Sequence, residues 1–148
     1  MNLRPHHAVC IHFFEGKGYS DAFAANMKAV ISGLEDTHLT LTLSCDEICS
    51  ACPHNVLGSC RSADKVRSFD KAVLSITGLH EGDTLTWKKL SSVVSDEILS
   101  KVRLHDVCGE CQWYSDICEK VKATPHDLCA SDAPSRFSSD CLNSTQAC

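Results

Sequence analysis

Cys45, Cys49, Cys52 and Cys60 fall within one short run, Cys108, Cys111 and Cys118 form a second, and Cys10 stands near the N-terminus. Thiolates at such gaps converge on one metal centre when a tight turn puts successive sulfurs on a concave surface. Eight thiolates are also what two four-ligand centres require. The other three of the eleven cysteines, Cys129, Cys141 and Cys148, are widely spaced in a polar segment and read as free thiols.

The first run has gaps of three, two and seven residues and a proline directly after Cys52. Cysteine followed by proline is a feature of ferredoxin-type cluster binding, where the run is C-x2-C-x2-C-x3-C-P, so the match is partial. Pro53 stops a helix from running through the site, and Gly58 lets the chain turn back before Cys60. A structural zinc site more often shows two CxxC knuckles separated by a dozen or more residues. Three close cysteines and a fourth nearby therefore suit a cubane better than one tetrahedral ion. The C-x3-C-x2-C portion also occurs in radical enzymes that use S-adenosylmethionine, but this chain lacks the length and strands for their partial barrel.

In the second run, a continuous helix would set Cys111 and Cys118 about 10.5 Å apart along its axis, and Cys108 and Cys118 about 15 Å apart. Either the chain bends there or Cys118 serves elsewhere. Cys10 is the best candidate to complete this second set. If a helix starts after Pro5, His6 and Cys10 share one face. His6 or His7 could then be a ligand or a proton-transfer group. The blander reading, a hydrogen-bonded histidine beside the core, is favoured by the general tolerance of histidine burial. Trp113 and Tyr114 could shield the site or simply pack in the core. Arg4, Arg61 and Arg103, each near a ligand in sequence, could offset the charge of a cluster.

The elements that must position these residues are mainly helical. Ser20 caps a helix over 20–35 with Phe23, Met27, Val30, Ile31 and Leu34 on one face. Residues 38–43 alternate as a short half-buried strand that leads into the first cysteine run. Ser62 starts a second helix, ended by Gly78, with Val66, Phe69, Val73 and Leu74 inward. Thr86 caps a third with Trp87, Leu90, Val93, Val94 and Ile98, and Lys101 to Val107 forms a short fourth. The expected fold is a small α-rich single domain with at most one or two short strands and cysteine loops between helices.

That domain spans residues 1–118. Residues 119–148, with few large apolar side chains, bury too little to offset ordering of about 1–2 kcal/mol per residue, and read as a low-order C-terminal tail. No apolar run approaches the roughly 20 residues that span a membrane, and the first fourteen residues make a poor signal peptide. A reducing cytoplasmic location follows, where clustered cysteines bind metal more often than they form disulfides. The net charge is −5 with no Lys/Arg block, so a phosphate-backbone footprint is missing and no nucleic acid is expected.

The R-P-H-H-x-x-C opening, the G-K-G-Y element at 16–19, the C-D-x-I-C-S-A-C-P-x-N run from Cys45 to Asn55 and the later C-G-x-C-x-W together resemble a small prokaryotic family, Domain of Unknown Function 1284. The resemblance covers about residues 2–118. It implies an iron–sulfur protein in which the eight core cysteines belong to the family pattern, and it leaves the reaction open.

The expected cofactor is therefore an iron–sulfur cluster, as two 4Fe-4S centres: one on Cys45, Cys49, Cys52 and Cys60, the other on Cys10, Cys108, Cys111 and Cys118. The expected role is electron transfer, or redox support of a partner enzyme, rather than catalysis by this chain. The alternatives are a zinc-stabilised structural or binding module and, less favoured, a small metalloenzyme with an open iron held by only three cysteines.

Overall fold

Pro5 sets the start of the first helix, α1 (Pro5–Ile11), because its fixed φ suits the first helical position and its missing N–H would have no partner there. A computed structural model describes residues 1–35 and 37–121 of the chain. The helices that follow are α2 (Asp21–Ser32), α3 (Ala63–Thr77), α4 (Trp87–Val94), α5 (Leu104–Cys108) and the short α6 (Glu119–Val121). The protein is α-rich, with a few short strands. Among the described residues no helix is long and apolar enough to cross a membrane.

Local capping explains most boundaries. Ser20 Oγ accepts from Phe23 N–H at 3.1 Å, and Thr86 Oγ1 accepts from Lys89 N–H at 3.4 Å. Gly78 ends α3 in the left-handed region, at φ +70°, with its N–H returned to the Leu74 carbonyl. Ser62 precedes α3 without a side-chain cap bond; its hydroxyl lies 3.5 Å from His54 Nδ1 instead. The short helix expected over 101–107 starts three residues later, at Leu104.

The strands exceed the one or two expected. Five occur among the described residues: β1 (Asn2–Leu3), β2 (His38–Leu41), β3 (Asn55–Val56), β4 (Ser59–Cys60) and β5 (Thr84–Thr86). β1 runs parallel to β2, with Leu3 opposite Leu41, and β5 runs antiparallel on the other edge, with Leu85 opposite Leu39. These strands are too short to carry a period of their own. Long-range pairing to β2, not local pattern, makes them strands. Leu3, Leu39 and Leu41 face the core from this sheet and are fully buried.

The core is built from one face of each helix. Phe23 and Met27, Phe69 and Val73, Leu90 and Val94, and Leu104 and Val107 meet Ala8 and Val9 of α1. Val30, Ile31, Val66 and Leu74 pack against its rim, and Leu34 is buried just beyond the end of α2. The expected low-order tail from Glu119 begins with three helical residues; the rest of it, including Cys129, Cys141 and Cys148, lies outside the described residues.

The β3–β4 hairpin turns on Leu57 and Gly58, both at positive φ (+49° and +82°), as a two-residue turn of this hand requires. Glycine takes that conformation freely; leucine does not. Leu57 is also wholly exposed, so it gains nothing by packing. Leu57→Asn is expected to stabilise the protein by about 1 kcal/mol, the left-handed cost of an ordinary side chain. Urea unfolding at matched pH checks this.

Candidate thiol and imidazole site

The first cysteine run folds as the proline demands. A 3-10 turn (Ile48–Ala51) stops at Cys52, whose backbone is extended (φ −77°, ψ 129°) as a residue before proline prefers. The hairpin then returns Cys60 opposite Asn55, and Asn55 Nδ2 donates to the Cys49 carbonyl at 3.0 Å. Hairpin and turn are thereby locked together. The thiols of this run sense one another: Cys52 is raised by burial and by Cys60 and Cys45, and Cys49 by burial, Asp46 and Cys45.

In the second run the chain bends where a straight helix would have separated the sulfurs. Cys111 N–H donates to the Cys108 carbonyl at 2.8 Å, Tyr114 N–H to the Cys111 carbonyl at 3.1 Å, and a wide π-type turn carries Tyr114–Cys118. Cys10 joins from α1. Burial and the neighbouring Cys108, Cys111 and Cys118 push its thiol well above the ordinary range. Burial, then Cys118 and Cys111, push Cys108 up to about 12; burial and Cys111 push Cys118 up to about 11. Without a cation the Cys10, Cys108 and Cys118 sulfurs stay protonated at neutral pH. A coordinating metal would take them as thiolates outright.

Seven of the eight cysteines, all but Cys45, line a single cavity of about 150 Å³. All eight are free thiols, with Cys49, Cys108 and Cys118 buried and the others half-buried. Soft sulfur donors in this number fit an iron–sulfur cluster or zinc far better than a hard cation.

Tyr19 covers the gap between the two thiol groups. Its ring lies 4.8 Å from His54 and 5.7 Å from Trp113. Burial raises the phenol, a hydrogen bond with Trp113 opposes this, and Cys111, Cys52 and Cys10 raise it further, so both groups are in electrostatic reach. Gly18 is required beside it, because a Cβ there would meet the Phe23 ring at 2.5 Å. Trp113 thus belongs to the cavity wall, whereas Tyr114 is buried in the core.

His6 and His7 sit on the first turn of α1, each 9% exposed, with ring centroids 4.2 Å apart. Each is held by a buried carboxylate that composition alone does not reveal. His6 Nδ1 lies 2.6 Å from Asp70 Oδ1, and His7 Nδ1 lies 2.7 Å from Asp46 Oδ2. Arg4 joins the two pairs: its backbone N–H donates to Asp46 at 2.7 Å, while its Nε and Nη2 donate to Asp70 at 3.0 and 2.5 Å. Asp46 also accepts from Cys49 N–H at 3.0 Å.

The charges follow from these partners. Burial works against the ionised Asp70, but His6 and Arg4 hold it below the usual carboxylate range. Burial likewise opposes Asp46, yet His7 and the two backbone N–H groups hold it well below that range. Burial and the neighbouring His7 lower His6 to about 4 despite Asp70, so its ring is neutral near pH 7. Burial opposes the Arg4 charge too, and Asp70 more than restores it. Arg4 is therefore bound up in this network while also lining the cavity; Arg103 pairs with Asp106 on the surface, and Arg61 is exposed.

Asp70 was detectable: it interrupts the apolar stripe of Val66, Phe69 and Val73 on α3, and a carboxylate on an inward face needs a buried partner. Asp46 offered only its place between two cysteines.

These features define a small helix-rich protein in which two groups of free thiols and a carboxylate-held histidine pair meet at one cavity. The chain belongs to the family described as a protein of unknown function, DUF1284, which it matches over residues 18–118. The opening segment with Arg4, His6, His7 and Cys10 precedes that span. No curated protein and no solved structure matches the chain.

Proposed function

We propose that the protein binds iron–sulfur cofactor, as two 4Fe-4S clusters, and serves in electron transfer or as a redox accessory to a partner enzyme in a reducing cytoplasm. Cys45, Cys49, Cys52 and Cys60 would hold one cluster, and Cys10, Cys108, Cys111 and Cys118 the other. The observation that carries this reading is the approach of Cys10, from the N-terminal helix, to three thiols about a hundred residues later. Burying so many protonatable sulfurs together gives a metal-free core little benefit, and a shared cationic centre gives it a purpose. When bound, such a cluster would supply one-electron chemistry, with its potential set by hydrogen bonds to sulfur and by exposure.

The chain's own residues would shape that role. Tyr19, His54 and Trp113 cover the cavity, and aromatic rings at this position limit the entry of water. Zinc is the second reading, favoured by one observation: ligand atoms of His7, Asp46 and Cys49 all lie within 4.8 Å of one another, a mixed N, O and S set that zinc accepts. Protein purified anaerobically is expected to be brown, with iron and acid-labile sulfide near equal and zinc well below stoichiometry. Colourless, folded protein with stoichiometric zinc and no iron would sink the proposal.

A further inference from the structure

The cavity has a nitrogen face as well as a sulfur face. His6 and His7 both line it, and both are nine-tenths buried. Their Nδ1 atoms are occupied by Asp70 and Asp46, which as carboxylates can only accept. In the neutral form of either ring the proton therefore sits on Nδ1, facing the carboxylate, and Nε2 carries a lone pair. Neither Nε2 has a hydrogen-bond partner among the described residues. Neither is sealed in the core, since Glu47 Oε2 is the buried side-chain polar atom left without a partner among the described residues; both are open to the cavity that the rings line.

An unprotonated Nε2 has no hydrogen to give a sulfide or thiolate, so these rings are not hydrogen-bond donors to a cluster. They can meet a cation or accept from a donor. Of the two cationic side chains on the wall, Arg4 is already committed to Asp70 and Lys17 makes no hydrogen bond to either ring, while Phe13 and Phe69 offer no donor. Imidazole nitrogen beside thiolate sulfur is a donor set for a borderline divalent metal. A carboxylate on the far ring nitrogen is the usual support of a metal-binding histidine, fixing its tautomer and raising its basicity.

We infer that His6 and His7 are metal ligands, each binding through Nε2 a metal that the cavity's thiolates also hold. The inference rests on the reading above only in that the cavity holds metal; each histidine would take a ligand place that the reading gives to a cysteine. The two rings serve different thiol groups. A ligand atom of His7 lies within 4.8 Å of the Cys49 sulfur, whereas His6 is one helical turn from Cys10 on α1. Arg4, bonded to both aspartates, keeps the two supports in fixed relation.

X-ray absorption at the iron and zinc K edges of the full-length, anaerobically purified protein tests this. The expected spectrum has a mixed sulfur and nitrogen first shell with the outer-shell scattering of imidazole rings. That ring contribution should fall in His6→Ala and again in His7→Ala. A sulfur-only shell in the wild-type protein overturns the inference while leaving the iron–sulfur reading intact. Imidazole scattering at the zinc edge with no iron does the reverse, and protein that binds neither metal overturns both. Because the wild-type spectrum decides, failure of either variant to fold does not rescue the idea.

Discussion

Asp70→Asn is expected to destabilise the folded protein by about 3–5 kcal/mol, the usual cost of breaking a buried ion pair from one side. Asp70 is fully buried and accepts from Arg4 Nε, Arg4 Nη2, the His6 backbone N–H and His6 Nδ1. Arg4 is itself only 3% exposed, so its guanidinium would be left charged and unpaired away from water. The double variant Arg4→Met, Asp70→Leu should recover part of the loss, because it removes the orphaned charge and leaves only His6 short of an acceptor. Chemical denaturation of the three proteins at pH 7 measures this. A single variant within about 1 kcal/mol of wild type would mean that water reaches the pair.

Cys10→Ser is the second large effect. On the proposed function it removes a ligand that ties α1 to the far end of the described chain. A cross-link closing a loop of about 100 residues restricts the unfolded chain by about 4–5 kcal/mol in the chain-entropy view, and metal binding then becomes part of folding. Cys10→Ser, Cys108→Ser and Cys111→Ser should each lose one centre and lower the melting temperature of the whole domain. Cys49→Ser should lose the other centre and spare this one. Metal content and cluster spectra of the four variants distinguish the groups. A Cys10→Ser protein with its full complement of metal would make Cys10 a plain core thiol.

What was legible in the sequence depended on range. Helices α2, α3 and α4 announced themselves through apolar spacing and through Ser20, Thr86 and Gly78, all of which act locally. β1 and β5 did not, because two or three residues paired across the chain carry no pattern of their own. The cysteine runs stood out by spacing, and helix geometry left a choice between a bend before Cys118 and another role for it, of which the structure shows the bend. The supporting shell was hidden. The reading of His6 and His7 as hydrogen-bonded groups beside the core holds for their Nδ1 atoms, but nothing local links them to Asp46 and Asp70, which lie 39 and 64 residues away. Tyr19 was visible only as part of a short motif, and its place over the cavity comes from tertiary packing.

The separation of Cys10 from its neighbours also sets a schedule. Ribosomes add about 5–20 residues per second, so Cys10 leaves the exit tunnel roughly 5–20 s before Cys108, while Cys45 and Cys60 follow one another within about a second or three. During that interval α1 has neither Asp46 nor Asp70 for its histidines at first, and its thiol stands open to oxidants and stray metal. The hairpin-locked group can be completed on the nascent chain; the group containing Cys10 must wait for nearly the whole domain to be made. On the proposed function, assembly would thus be ordered by translation, the local thiols first and the long-range set last.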